Sequence, residues 1–394
     1  MKKGTILVTC AKGITPFLRE EIMQLGFPVV SETIAGVITE GTLEDTFRLN
    51  LMLRTGHRVL FLIKNFRAFD ADALYYEVSD IAWEEYIPSD EHLCVMSSVH
   101  NPSIRDSRYA NVKCKDAIVD RMRKIYGKRP DSGPDQHGIV VNLYWKDENC
   151  SLYLDTSGES LSKRGYRKIP MTAPMQETLA AAVIKASGWN GAGHFINPMC
   201  GSGTLAIEAA LMGLGIAPGL QRNNFGFMHL RGFNRSQWNT MRFQAAKEAK
   251  KTMDYRIIAT DRKRDVIEAA KKNALSAGVE HVIEFDVCDY ADTEIPDGGG
   301  IVFINPEYGE RMGTIRQLEN VYTGIGDFFK KKCRGFTGYL FTGNLDLAKK
   351  IGLKAKRRMP FFNGRIECRL LEYELYEGSR KKRRIPQDDT AVSS

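Results

Sequence analysis

Asn197-Pro198-Met199-Cys200-Gly201-Ser202-Gly203-Thr204 stands between the apolar segment Gly193-His194-Phe195-Ile196 and the helical pattern Leu205-Ala206-Ile207-Glu208-Ala209-Ala210-Leu211. The order is strand, glycine-rich turn, helix. Gly201 and Gly203 permit positive φ and let backbone N–H groups come close to a ligand at a helix N-terminus. Gly201, Gly203 and Ala206 also satisfy the G-x-G-x-x-A pattern of nicotinamide and flavin enzymes, which wants an acidic residue about 20 positions on. No acid occurs between Glu208 and Glu248. The first candidate is Asp261, which ends the strand-like Arg256-Ile257-Ile258-Ala259-Thr260 and precedes the helical pattern Val266 to Asn273. A carboxylate there is placed to take both ribose hydroxyls of an adenosyl ligand. A third strand, Val282-Ile283-Glu284-Phe285, leads to Asp286-Val287-Cys288-Asp289, where Asp289 can accept from an adenine amine. The expected cofactor is S-adenosylmethionine, held by Asn197, Pro198, Cys200, Gly201, Gly203, Thr204, Asp261 and Asp289.

Further along, Asn305-Pro306-Glu307-Tyr308 ends the apolar run Ile301-Val302-Phe303-Ile304. In isolation an N-P-x-Y stretch is an ordinary turn after a buried strand. Following the glycine-rich turn, it reads as chemistry on the exocyclic amine of a nucleobase. Such an amine is a poor nucleophile because its lone pair is delocalised into the ring. Carbonyls of Asn305 and Pro306 that accept its N–H groups would turn the lone pair toward a methyl donor, and Tyr308 would offer a flat face to the base. These are the expected catalytic residues.

Bulk properties fit that class. With 394 residues the chain is long enough for two to three domains, and 43% apolar with 26% charged residues is ordinary globular composition. A net charge of +8 suits a polyanionic partner. The cysteines at 10, 94, 114, 150, 200, 288, 333 and 368 show no C-x-x-C pair and no spacing with histidine, which points to reduced thiols and to no metal site. The apolar run Thr5 to Cys10 is too short for a signal peptide, and no segment has the ~18 apolar residues of a membrane span. A cytoplasmic protein without membrane contact is expected, with no oligomeric state implied.

The fold class expected is α/β, a Rossmann-like domain preceded by an α+β region. The first 57 residues give the order β-α-β-β-α of a small ferredoxin-like layer, with helices from Thr15 to Leu25 and from Thr42 to Leu53. Residues 58–160 form a second α+β block containing a helix over Asn111–Tyr126. The cofactor domain is assigned to 161–378, and 379–394, with Arg380-Lys381-Lys382-Arg383-Arg384, to a disordered basic tail.

Cations and aromatics gather in two places. Arg105, Arg108, Tyr109, Lys113 and Lys115 surround the start of the helix at 111, followed by Arg121, Arg123, Lys124, Lys128 and Arg129. Arg222, Phe225, Phe227, His229, Arg231, Phe233, Arg235 and Trp238 fill the long connection between the glycine-rich helix and the Asp261 strand. Lysine and arginine neutralise phosphates and aromatics stack on unpaired bases, so both groups are read as RNA contacts. Arg105, Lys113, Lys163, Arg164, Arg222 and Arg231 are the residues named for that role.

Several stretches resemble a known family. They are Phe47-Arg48-Leu49-Asn50-Leu51, Val112-Lys113-Cys114-Lys115-Asp116-Ala117-Ile118-Val119-Asp120, Leu152-Tyr153-Leu154-Asp155-Thr156-Ser157-Gly158-Glu159, Lys163-Arg164-Gly165-Tyr166-Arg167 and Ala173-Pro174-Met175-Gln176-Glu177-Thr178-Leu179-Ala180-Ala181-Ala182. With the glycine-rich turn, they make the chain similar to bacterial RNA methyltransferases that carry a THUMP domain before a class I methyltransferase domain. The resemblance implies a THUMP-like RNA-binding domain over 58–160 and, as target, guanine N2 in 23S rRNA. Two positions depart from the family: Asn197 where Asp is usual and Glu307 where a second Pro is usual. Two other readings stay open at this point. One is adenine-N6 methylation of DNA, since the Asn-Pro-x-aromatic motif serves any exocyclic amine. The other is an RNA-binding factor made inactive by Asn197 and Glu307.

Overall fold

A computed structural model describes residues 3–104, 106–169, 175–308 and 315–376. Arg105, Ala173, Pro174 and the basic run 380–384 lie outside the described residues.

Alternation of buried and half-exposed residues builds the first sheet, as in β1 (Gly4–Thr9), where Ile6 and Val8 face the core. Helix α1 (Thr15–Gln24), strands β2 (Val29–Thr33) and β3 (Gly36–Gly41), helix α2 (Asp45–Met52) and β4 (Arg58–Arg67) follow. Then come α3 (Ala71–Ser79), β5 (Leu93–His100), α4 (Ser107–Tyr126), β6 (Ile139–Lys146) and β7 (Asn149–Asp155). These strands make one seven-stranded sheet in the order β2-β3-β1-β4-β7-β6-β5. β4 joins its two parts: its first residues pair with β1 and, from Leu60 to Arg67, it pairs with β7. Residue 58, the expected start of the second block, therefore opens a strand common to both.

Capping chemistry moves two helix starts from where periodicity places them. α2 is regular from Asp45 rather than Thr42, because Thr42 stands ahead of it as the capping residue: Thr42 Oγ1 accepts from the Asp45 N–H while the Asp45 carboxylate accepts from the Thr42 N–H and hydroxyl. α4 begins at Ser107 rather than Asn111, since Asp106 accepts from the Arg108 N–H at 2.9 Å and supplies an N-cap.

The second half is a doubly wound sheet. It contains α5 (Glu177–Ser187), β8 (His194–Pro198), α6 (Thr204–Gly213), α7 (Arg235–Glu248), β9 (Ile257–Asp261), α8 (Arg264–Ala277), β10 (Ile283–Val287) and β11 (Gly300–Ile304). α9 (Ile315–Lys331), β12 (Phe336–Thr342), α10 (Leu345–Lys349), β13 (Arg357–Asn363) and β14 (Ile366–Glu374) complete it. Phe195, Ile196, Val302, Phe303 and Ile304 are fully buried, the near-continuous apolar pattern of parallel strands covered on both faces. The strand order is β10-β9-β8-β11-β12-β14-β13, parallel from β10 to β12 and antiparallel beyond. From β8 the chain winds outward to β10, then crosses back to β11. The crevice at the C-terminal ends of β8 and β11 is thus the point where strand order reverses, which is where open α/β sheets bind ligands.

The two halves share a seam of buried polar groups. Arg164 Nη1 donates to the Leu161 carbonyl at 2.8 Å and its Nε lies 3.4 Å from Glu208 Oε1, which also accepts from Tyr166 Oη at 3.1 Å. Arg54 reaches across from the N-terminal half to the Ile216 carbonyl at 2.8 Å, and His57 Nε2 meets Thr178 Oγ1 on α5 at 2.9 Å.

The connection from 214 to 256 corrects the sequence reading. Its length holds α7, and the aromatics Phe225, Phe227 and Trp238 turn inward. Phe225 and Phe227 are fully buried and Trp238 nearly so; Phe227 stacks on Phe47 of α2 with ring centroids 4.2 Å apart and on Phe225 at 5.1 Å. They glue the halves together and offer no face to a nucleic acid. A cut at residue 160 would strip Phe47 from Phe227 and Arg54 from its carbonyl partners, so each half leans on the other for its core. Phe227→Ala is expected to cost roughly 3–5 kcal/mol of stability in denaturant titration of the full chain. Unchanged unfolding with weakened RNA binding would place the ring on the surface instead.

Candidate active site

Asn197 is fully buried at the end of β8, and its Nδ2 donates to the Phe303 carbonyl of β11 at 2.9 Å. An aspartate could not make that cross-strand bond, since a carboxylate only accepts. Asn197 Oδ1 is buried and has no hydrogen-bond partner among the described residues. Such an orphan is rare, and here it lies at the switch point, where a ligand would satisfy it. The turn that follows bends through left-handed backbone at Met199 (φ 57), Gly201 (φ 55) and Gly203 (φ 81). A Cβ on Gly203 would also come within 3.1 Å of Ala270 Cβ, so the residue serves both the backbone conformation and the packing of α6 against α8. Cys200 is buried, and burial pushes its thiol up, so this residue serves the turn through its backbone and its bulk.

Asp261 ends the neighbouring strand and holds the turn: its Oδ2 accepts from the Gly201 N–H at 3.2 Å and its Oδ1 from the Lys263 N–H at 3.2 Å. A carboxylate has about four lone-pair sites. Two remain for the hydroxyls of a ribose. Asp289 follows β10, is exposed and accepts from the Ala291 N–H at 3.0 Å. All eight expected cofactor residues thus gather along the C-terminal edge of β8, β9 and β10.

Asn305 and Pro306 continue directly from β11, on the other side of the switch point. Asn305 Oδ1 is a second buried acceptor without a partner among the described residues. Pro306 is buried, while Glu307 is exposed and is held through its backbone carbonyl, which accepts from Tyr322 Oη at 3.4 Å. Tyr308 is half-buried, with its hydroxyl accepting from Asn363 Nδ2 at 2.9 Å. Burial pushes its phenol up, so the ring stays neutral.

Two residues that sequence reading passed over support the turn. Arg167 donates to Ser202 Oγ at 2.9 Å and to Thr204 Oγ1 and the Met175 carbonyl at 3.0 Å, and its Nε meets Glu177 at 3.0 Å. Asn273 Oδ1 accepts from the N–H groups of Lys168 and Ile169 while its Nδ2 donates to the Ser202 carbonyl at 3.2 Å. Arg167 stands in the link between the two halves, inside a quoted motif that carried the family resemblance but gave this residue no role; for Asn273 the sole signal was an amide on the buried stripe of a helix.

The residues named for RNA divide. Arg164, 1% exposed, and Arg222, 7% exposed, are structural and not available to a phosphate. Arg222 donates to the carbonyls of Ser157, Glu159, Ser160 and Asn224 and lies over the Phe225 ring; burial lowers its affinity for the proton, to a pKa of about 10. Lys163 is exposed beside Glu159, and Arg231 reaches Tyr126 Oη at 2.7 Å. On α3 and α4, Lys113 sits 6.0 Å from the Tyr109 ring centroid and 2.9 Å from Asp72. Tyr109 is 50% exposed and Tyr76 is 73% exposed. Among the described residues there is no cluster of three or more His, Cys, Asp or Glu placed to hold a metal, and no helix long and apolar enough to cross a membrane.

Residues 164–372 match the family model described as "RMKL-like, methyltransferase domain", preceded by matches to "RlmL ferredoxin-like domain" over 5–60 and to the THUMP domain over 68–155. The chain belongs to the RMKL-like methyltransferase family. It is similar to a Synechocystis protein named "Putative RNA methyltransferase slr0064", 36% identical over 368 residues covering 93% of this chain and 96% of that one. It is also similar to the "Ribosomal RNA large subunit methyltransferase K/L" of Syntrophotalea carbinolica, 38% identical over 379 residues covering 94% of this chain and 53% of the relative. The chain spans about half the length of that relative and of its namesake in Psychromonas ingrahamii. Among solved structures, "SMU.472, a putative methyltransferase complexed with SAH" superposes with a TM-score of 0.85 at 28% identity, over 97% of this chain and 100% of the other.

An adenosyl ligand fits the residues present in this methyltransferase. Orphan Asn197 Oδ1, the two spare acceptor sites of Asp261 and the N-terminus of α6 line the same crevice. Asp261→Ala should weaken binding of S-adenosylhomocysteine by roughly 1–3 kcal/mol, through lost charge-assisted hydrogen bonds. Calorimetry returning wild-type affinity would remove Asp261 from the site.

Proposed function

We propose that the protein transfers a methyl group from S-adenosylmethionine to the exocyclic amine of a base in RNA, with guanine N2 of 23S rRNA as its target. The observation that carries this reading is Asn305 Oδ1, buried beside the switch point and without a partner among the described residues. S-adenosylmethionine, when bound, supplies a methyl carried on a positively charged sulfur.

Asn305 Oδ1 and the Pro306 carbonyl accept the two N–H groups of the incoming amine. Their pull draws the amine out of conjugation, so its lone pair points along the line of transfer. As the N–C bond forms and the C–S bond breaks, the amine becomes acidic and its proton leaves to water. Glu307, exposed and beside the reactive centre only in sequence, is not needed as a base. Tyr308 offers its ring to the base, an interaction worth roughly 1–3 kcal/mol. Asn197 keeps a free acceptor and adds a cross-strand bond, which favours an active enzyme over an inert RNA-binding factor.

The N-terminal half selects the RNA. Exposed Tyr109 beside Lys113, with exposed Tyr76 on α3, suits unpaired bases and phosphate. A THUMP match over 68–155 in place of a duplex-reading element favours RNA over adenine-N6 methylation of DNA. The domain limits 1–57, 58–160, 161–378 and 379–394 are retained as functional divisions.

Asn305→Ala should nearly abolish methyl transfer to rRNA fragments while leaving cofactor affinity unchanged. Glu307→Pro and Glu307→Gln should both stay within about tenfold of wild type, a barrier change of roughly 1.4 kcal/mol. A live Asn305→Ala enzyme would contradict the alignment mechanism, and a dead Glu307→Gln would make that carboxylate the base.

A further inference from the structure

We infer that Asn363 is a positioning residue for the target base, acting through Tyr308. The inference rests on the reading above that the Tyr308 ring stacks on the base. A tyrosine ring swings as a whole about its first side-chain bond, so a platform held in one place needs a second anchor at its far end, while packing against its faces sets its plane. Asn363, the last residue of β13, supplies one with an Nδ2–H donated to Tyr308 Oη at 2.9 Å. Cys368 Sγ on β14 lies 3.7 Å from the same oxygen. The ring is confined along its length as well. A Cβ built on Gly343 would fall 2.8 Å from Tyr308 Cδ2 and 2.9 Å from Cε2, so only glycine leaves room for the ring. Phe341 meets the ring at 74° with centroids 6.5 Å apart.

The hairpin that carries Asn363 is itself braced from the other half of the molecule. Phe17 of α1 stacks on Phe361 with centroids 5.8 Å apart and planes 15° from parallel. Lys12 places its ammonium 4.4 Å from the Phe362 ring centroid. Phe361, Phe362 and Asn363 are consecutive. The ferredoxin-like layer therefore touches the same strand that fixes the ring, and the RNA-recognising half and the base platform are joined by direct contact.

Asn363 also stands at the mouth of a tight hairpin turn, opposite Ile366, so a purely structural role must be told apart from positioning. A double-mutant cycle does so. Asn363→Ala is expected to lower kcat/KM for RNA by about tenfold, the loss typical of one anchoring hydrogen bond, with KM for S-adenosylmethionine unchanged. Tyr308→Phe, which removes the hydroxyl and leaves the hairpin untouched, should give a loss of the same size. The double variant should be no worse than either single one. Losses that multiply, or wild-type turnover in Asn363→Ala, would overturn the inference. Should Asn363→Ala fail to fold, Tyr308→Phe at full activity does so alone. Tyr308→Ala separates the two levels: full activity there would end the stacking reading itself, whereas a dead Tyr308→Ala beside an unaffected Tyr308→Phe would end only the role given to Asn363.

Discussion

Glu208 is a carboxylate that no water reaches, and it sits on the helix that begins at the glycine-rich turn. A buried charge left alone costs several kcal/mol, so its position forces others. Arg164 from the linker and Tyr166 beside it converge on one of its oxygens. The linker cannot then wander, and three residues further on Arg167 arrives at Ser202 and Thr204. One ionic requirement thus ties the N-terminal half, the linker and the cofactor turn into a single body. Removing either partner would leave the other charge buried and unpaired, which is why this seam and not the surface ion pairs governs the architecture.

The same rigidity shapes the chemistry. In the proposed mechanism amine alignment depends on distances between Asn305, Pro306, the methyl donor and the base plane, and each comes from a different place. Asn305 and Pro306 follow β11, the turn follows β8, and the Tyr308 ring is caught by a hairpin at the far side of the sheet. The Asn197–Phe303 bond crosses between the two central strands and fixes the first of these relations. The buried aromatics between α6 and β9 hold the whole against the N-terminal sheet. A site assembled from separated elements keeps its precision only if those elements do not move independently.

The places of the glycine-rich turn, Asp261 and the Asn305 motif at strand ends were legible in sequence because their signals are local: an apolar run that stops and a permissive φ within a few residues. Arg164 and Arg222 were misread because a cation in a motif says nothing of which way it faces. Phe225, Phe227 and Trp238 failed for a related reason, since aromatic spacing in a connection looks the same whether the rings meet bases or a core. α2 and α4 began elsewhere than periodicity placed them, because Thr42 and Asp106 cap them from outside. Asn273 offered only an amide on a helix's buried stripe and Asn363 no signal at all, as a lone amide gains its role from a partner distant in sequence: residue 202 for one, residue 308 for the other.

Methylation of guanine N2 in the RNA of the large ribosomal subunit, proposed for this chain, is read out by nucleoside mass spectrometry of rRNA and tRNA from a strain lacking the gene, with the wild-type strain as reference. N2-methylguanosine should fall in 23S rRNA and return when the intact chain is restored. An unchanged N2-methylguanosine content, with N6-methyladenine lost from DNA instead, would contradict it.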